Sequence, residues 1–324
     1  MKSLRTVVLG MSLALAVLGG GVALMQSARA AIAPQPSDPS PLAAQGLLLD
    51  IARAGARLVA VGERGHIVYS DDGKHWLQAR VPVDALLTAL SFVDDRNGWA
   101  VGHDSVILRS RDGGQSWQLQ NFQPEEHKPL LDVLFLSATE GYAIGSFGLF
   151  LYTQDGGEHW RNADPGLFAE AGRHLNAITR LADGRFVLVG EAGFAAQSED
   201  GRQWSALTIP YQGSLFGVLP FGEHGAVAYG LRGNVFCSAA PGTQDWNSVA
   251  TQTTRSIFGG TALSAEELLL VGADGLSLRV AGCAQSQAQL GRAGEGSLSA
   301  VVKGASGLLV VGERGVQALS TAQR

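Results

Sequence analysis

Cysteine is scarce in this chain, and most other markers of chemistry are missing. Two cysteines, Cys237 and Cys283, stand among 324 residues. That is too few for a disulfide scaffold or a cysteine-based metal cluster. The seven histidines form no His-x-x-x-His or His-Glu-x-x-His pair, so no zinc site is signalled, and neither a metal nor any other cofactor is expected. There is no Gly-x-Ser-x-Gly turn and no phosphate-binding loop. Helical periodicity longer than about two turns is absent. Basic residues are in deficit, 24 Lys and Arg against 29 Asp and Glu. A negative chain argues against a nucleic-acid or anionic-membrane surface.

The first 30 residues stand apart. Lys2 and Arg5 precede an apolar run from Val7 to Leu24, and Ala28-Arg29-Ala30 gives a small-x-small pattern before Ala31. This reads as a secretory signal peptide over residues 1–30. The run is also long enough for an uncleaved anchor, about 18 residues, but its glycines and the placement of Ala28-Arg29-Ala30 favour cleavage. Export places the body in the periplasm. No later apolar stretch approaches that length. Removing the leader leaves 21 basic against 29 acidic residues.

What the chain has in abundance is glycine, 43 residues, and it recurs with a period. Gly62, Gly102, Gly145, Gly190, Gly230, Gly272 and Gly312 close phrases such as "AVG" and "LVG" and step by 40, 43, 45, 40, 42 and 40 residues. A second series, Trp76, Trp117, Trp160, Trp204 and Trp246, steps by 41, 43, 44 and 42. Two independent features with one period define a repeat architecture. Each copy reads as four short strands rich in Val, Leu and aromatics, bounded by Gly, Asp and Asn. Four strands per copy and seven copies predict an all-β fold, a seven-bladed β-propeller of four-stranded antiparallel blades, over residues 46–320.

Between strands three and four, four copies carry one turn: "SDDGKHW", "SRDGGQSW", "TQDGGEHW" and "SEDGRQW". Asp72, Asp112, Asp155 and Asp200 can accept backbone N–H bonds inside the turn. The glycines after them permit positive φ. Trp76, Trp117, Trp160 and Trp204 open the outer strand and bury against the hairpin. A catalytic residue is normally unique, whereas this aspartate recurs, so the turn is read as structural and no catalytic residue is assigned.

These turns resemble the Asp-box, or BNR, repeat. "GERGHIVYSDDGKHW" and "GSFGLFLYTQDGGEHW" are similar to the phrase of the photosystem II assembly and stability factor family, across about residues 46–320. The resemblance implies a non-enzymatic, protein-binding factor that helps assemble or stabilise a membrane protein complex, in a thylakoid lumen if the source is photosynthetic; a monomer is expected. Similar exported propellers accompany membrane transporters, which is the alternative. Sialidases also carry Asp-boxes, but the Phe-Arg-Ile-Pro opening is absent and seven blades disagree with their six.

In a propeller the turns between strands two and three share a face with the blade-to-blade connections. Three of these turns carry Arg in one slot, Arg64, Arg232 and Arg314. The resemblance implies an Arg-lined partner-binding surface there, for which guanidinium is suited to carboxylates. The plain alternative is solvated hairpin arginines, with Glu63 and Glu313 beside two of them. Two structural expectations complete the reading. The segment 31–45, Pro41–Gln45 above all, is expected to supply a fourth strand to blade seven. Cys237 and Cys283, on neighbouring blades, either pair or remain free thiols.

Overall fold

The computed structural model describes residues 32–242, 246–283, 288–305 and 307–319. From Pro34 onward the chain forms one compact unit. It is the seven-bladed propeller that the periodicity predicts, each blade built as consecutive antiparallel strands. Blade one runs Leu48–Ala54, Arg57–Gly62, Ile67–Ser70 and Leu77–Gln78 from the axis outward. The other innermost strands are Leu87–Phe92, Leu130–Phe135, Leu175–Arg180, Leu215–Phe221, Ile257–Ser264 and Leu298–Gly304. Strand two is almost wholly buried in six blades, as in Gly98–Gly102, and half buried in blade seven, Gly307–Gly312. This is what continuous apolar runs such as "GWAVG" require, because both faces of a blade pack against neighbours.

The core is divided among the blade interfaces. Seven clusters of buried side chains each join two adjacent blades. Trp99 lies flat on Phe135 between blades two and three, 3.5 Å between ring centroids. The last cluster, between blades seven and one, joins Val302 and Val311 to Leu48 and Ala60 and takes in Ala43.

The recurring glycine has a close-contact cause. A Cβ on Gly62 would collide with the Leu47 carbonyl, and one on Gly312 with the Ser297 carbonyl. At these points the innermost strand bulges against strand two, and only hydrogen fits.

Ring closure differs from the expectation. Blade seven has three strands among the described residues, and Ala43–Gln45 is a 3-10 turn, not a strand. The segment runs alongside blade one instead. The Ser37 N–H donates to the Val81 carbonyl at 3.1 Å, and Gln78 Nε2 donates to the Asp38 carbonyl at 2.9 Å. Ala44 then lies against Gly315 of the last hairpin. At the earlier hairpins this place is taken by blade-to-blade connections, such as Val83 against Gly65 and Tyr211 against Gly193. The segment therefore fills a connection slot. Its backbone turns at Leu42 (φ −103°, ψ 6°), which removes it from a strand path.

One connection holds a short helix, Leu167–Ala171. Asp164, two residues before the N-cap Gly166, accepts the Phe168 and Ala169 N–H groups at 3.0 and 2.8 Å and so satisfies donors that the first turn leaves unpaired. Phe168 is fully buried.

Candidate functional site: the hairpin face

Four Asp-box turns fold as their composition dictates. Asp72 Oδ1 accepts the Lys74 and His75 N–H groups, each at 2.8 Å, and Asp155 Oδ1 accepts that of His159 at 2.9 Å. Asp112 accepts from Gln115 and Ser116, and Asp200 from Arg202 and Gln203. Backbone N–H donation, joined by the His75 and His159 rings, holds the Asp72 and Asp155 carboxyls below the usual range, Asp155 at about 2. Trp117 and Trp204 donate their ring N–H to Gly114 and Gly201 inside the same turns, both at 3.1 Å. Trp117 is buried, whereas Trp76, Trp160 and Trp204 are half-buried. The four carboxylates are engaged within their own turns, whereas the Trp160 ring N–H has no hydrogen-bond partner among the described residues.

The turns between strands two and three are different. In six blades a three-residue 3-10 turn holds its middle residue in the left-handed region: Arg64, Asp104, Phe147, Ala192, Arg232 and Asp274, with φ of 53–58°. The seventh hairpin is tighter. Gly312 pairs with Gly315 across Glu313 and Arg314, so Arg314 shares the face but not the backbone conformation of Arg64 and Arg232.

Arg64, Arg232 and Arg314 are all exposed, and none forms an ion pair with a described residue. The adjacent acids are turned away. Glu63 Oε1 accepts the Leu47 N–H at 3.1 Å and Glu313 Oε2 accepts the Ser297 N–H at 3.0 Å. That backbone bond, with the Arg314 charge adding to it, lowers the Glu313 carboxyl. The two glutamates cap the starts of innermost strands, and the guanidiniums stay free. Asp274 contrasts with them, standing 3.6 Å from Arg255. Phe147 exposes 60% of its surface beside the His174 ring.

On the outer side of the barrel, Cys237 and Cys283 are joined as a disulfide with Cα atoms 5.4 Å apart. It ties strand three of blade five to the end of strand three of blade six, the blades where the Asp-box turn has decayed. Among the described residues no three His, Cys, Asp or Glu side chains converge as metal ligands.

Sequence reasoning overlooked Asp50 and Asp132. They sit at one register of two innermost strands, in "LLLDI" and "PLLDV". Asp50 accepts its neighbour Ile51 N–H and, across the blade gap, Leu90 N–H at 2.9 Å. Asp132 does the same with Val133 and with Ile178 at 2.8 Å. Burial pushes the Asp50 carboxyl up to about 6 and Asp132 to about 7, the Asp50 charge adding to the latter. A carboxylate recurring inside an apolar strand run was the available signal.

The fold and the repeated turns together define an Asp-box propeller with exposed turns between strands two and three. Comparison with known proteins narrows this. The family described as "Photosynthesis system II assembly factor YCF48" matches residues 68–291, and the chain belongs to that family. It is 30% identical over 240 residues to the chloroplastic photosystem II stability/assembly factor HCF136 of Cyanidioschyzon merolae, covering 65% of this chain and 55% of that one. It is 32% identical over 191 residues to the photosystem II assembly protein Ycf48 of Thermosynechococcus vestitus, covering 57% and 53%. A Prochlorococcus marinus relative, 39% identical over 154 residues, is named an assembly lipoprotein and is matched over 45% of this chain and 44% of its own. The chain thus spans about half the length of the curated relatives it matches. Among solved structures, YCF48 bound to D1 peptide aligns with TM-score 0.66 at 18% identity, over 90% of this chain and 98% of that one. YCF48 from Cyanidioschyzon merolae aligns with TM-score 0.67 at 18% identity, over 88% and 98%. At these identities the structures bear on the fold alone.

Proposed function

We propose that the protein is an exported, non-enzymatic assembly or stability factor that docks a photosystem-type membrane protein through its hairpin face. The observation that carries this reading is the set of three exposed guanidiniums with no ion pair among the described residues, two of them beside glutamates that are committed to backbone N–H groups. Such cations remain available to carboxylates on a partner. The family membership supports the assembly role, and the leader-like start supports action on the exported side of a membrane. A solved relative holds a D1 peptide, which supplies the natural probe. Exposed pairs are worth about 0–1 kcal/mol each, so single substitutions should change little. Replacing Arg64, Arg232 and Arg314 together by Glu should weaken binding of a labelled D1 peptide at least about tenfold, with an unchanged melting curve. Equal binding by the triple variant and the parent would remove this face as the docking surface.

A further inference from the structure

The seven innermost strands enclose an axial channel, a cavity of about 280 Å³ lined by residues from every blade. Its wall mixes apolar side chains and backbone with Thr88, Asn176, Thr179 and Ser299, and it carries two carboxyls, Asp50 and Asp132, while no Lys, Arg or His lines it. The carboxyls lie close enough for the charge of one to raise the pKa of the other. Their two cross-blade hydrogen bonds are to neutral N–H groups, which bring no counter-charge. Two negative charges in a narrow lumen without a cation are a costly arrangement.

A second, independent feature points to a ligand. Tyr229 is 4% exposed and rises from strand two of blade five into the channel wall, its hydroxyl filling the space a Gly217 side chain would take. That hydroxyl makes no hydrogen bond to a described residue. Beside it Phe216 and Phe258 face each other with ring centroids 5.8 Å apart and planes tilted by 40°. Phe258 is 38% exposed. Both follow the first residue of their innermost strands, the end nearest the hairpin face. Aromatic faces attract cations, most strongly organic ones that shed water easily.

We infer that the channel binds an organic cation, an alkylammonium or guanidinium group, entering past Phe216 and Phe258 and held by Asp50, Asp132 and the Tyr229 hydroxyl. The two sources of such a group are a free amine and a Lys or Arg side chain of a bound segment. An inorganic ion gains less from the aromatic mouth.

The test is calorimetric titration of the intact protein at pH 8 with n-butylammonium, with an end-capped lysine tripeptide, and with n-butanol and potassium as controls. Both carboxyls are ionised at that pH. Saturable binding of an ammonium probe, with none for butanol, is expected. A tighter tripeptide would assign the site to a partner's side chain, and a tighter butylammonium to a free amine. Asp50→Asn with Asp132→Asn should weaken the preferred probe at least tenfold. Because that pair also stitches blades, Phe258→Ala serves as a variant at an exposed position and should weaken binding about threefold. Lowering the pH to 5 should also weaken it at least tenfold in the parent, since Asp50 and Asp132 are the lumen's carboxyls and Tyr229 titrates far above this range. No saturable binding of either ammonium probe, potassium matching them, or an affinity indifferent to Phe258→Ala and to pH would each overturn the inference.

Discussion

Asp50 and Asp132 make stability depend on pH with a sign opposite to that of ordinary surface carboxylates. Their folded-state pKa values, about 6 and about 7, lie above the ordinary aspartate value of 3.8. The native state therefore binds protons more tightly than the unfolded chain. The stabilisation is complete below about pH 4 and is lost as pH rises through 6 and 7. At full strength the smaller shift corresponds to about 3 kcal/mol. Both side chains keep part of their surface on the channel lumen, so water there screens the charge, and about half that value per carboxyl is the better expectation. Together they amount to about 3 kcal/mol, or roughly 5 °C in Tm for a chain this long. The assay is thermal unfolding at half-unit steps from pH 4.5 to 7.5, for the parent and the Asp50→Asn, Asp132→Asn double variant. The variant loses cross-blade hydrogen bonds and should melt lower throughout. The informative quantity is the difference in slope, because His66, whose pKa burial lowers, titrates in both proteins and cancels. The parent should lose about 5 °C relative to the variant between the two ends. Parallel curves would refute the reasoning. Below pH 4 the Asp-box carboxyls take over with the opposite sign. Their depressed pKa values give stability that is present above about 4 and lost as pH falls toward 2.

Two further perturbations test closure and the bridge. Deleting residues 34–46 removes Ala43 from the cluster between blades seven and one and uncovers Gly315, and calorimetry should show Tm falling by at least about 5 °C, although no strand is lost. Reducing the Cys237–Cys283 bond, or replacing both cysteines by Ser, opens a link across 46 residues worth about 4 kcal/mol in loop-closure entropy. Denaturant unfolding with and without reductant should shift accordingly, and superimposable curves would show that the bridge contributes nothing.

The fold was legible because it is written seven times. A glycine every 40 to 45 residues marks the same backbone collision at each bulge, and one such constraint repeated along a chain survives the noise of any single copy. The Asp-box turns were legible for a related reason: their hydrogen bonds are local, spanning two to four residues. Closure was not. The segment around Ala43 occurs once, and whether it extends or turns depends on the hairpin at Gly315, some 270 residues away. The Asp50–Leu90 and Asp132–Ile178 bonds were equally hidden, because they join strands a blade apart and leave only a carboxylate in an apolar run. The equivalence drawn between Arg64 and Arg314 held for the face and failed for the backbone, since the last hairpin is tighter by a residue.

The hairpin slot explains how one backbone can carry different surfaces. Its left-handed conformation is imposed from both sides. In blade four the Glu191 N–H donates to the His174 carbonyl and the Gly193 N–H to the Gly213 carbonyl, at 2.9 and 2.8 Å. The residue between is held at positive φ whatever its side chain, and Ala192 already bears the cost of a Cβ there, about 1 kcal/mol. Its side chain is exposed, so lengthening it disturbs no packing. Ala192→Arg should therefore leave Tm within about 1 °C while adding one more free cation to the face of Arg64, Arg232 and Arg314. If that face docks a carboxylate-bearing peptide, anisotropy titration should show binding a few-fold tighter, as expected for one exposed pair of at most about 1 kcal/mol, with a steeper loss of affinity as salt rises. Ala192→Gly serves as the conformational control. It relieves the strained φ, should raise Tm slightly, and should not alter binding. Tighter binding by the glycine variant as well would assign the effect to hairpin flexibility, and no change with arginine would argue that the slot of blade four lies outside the docking surface.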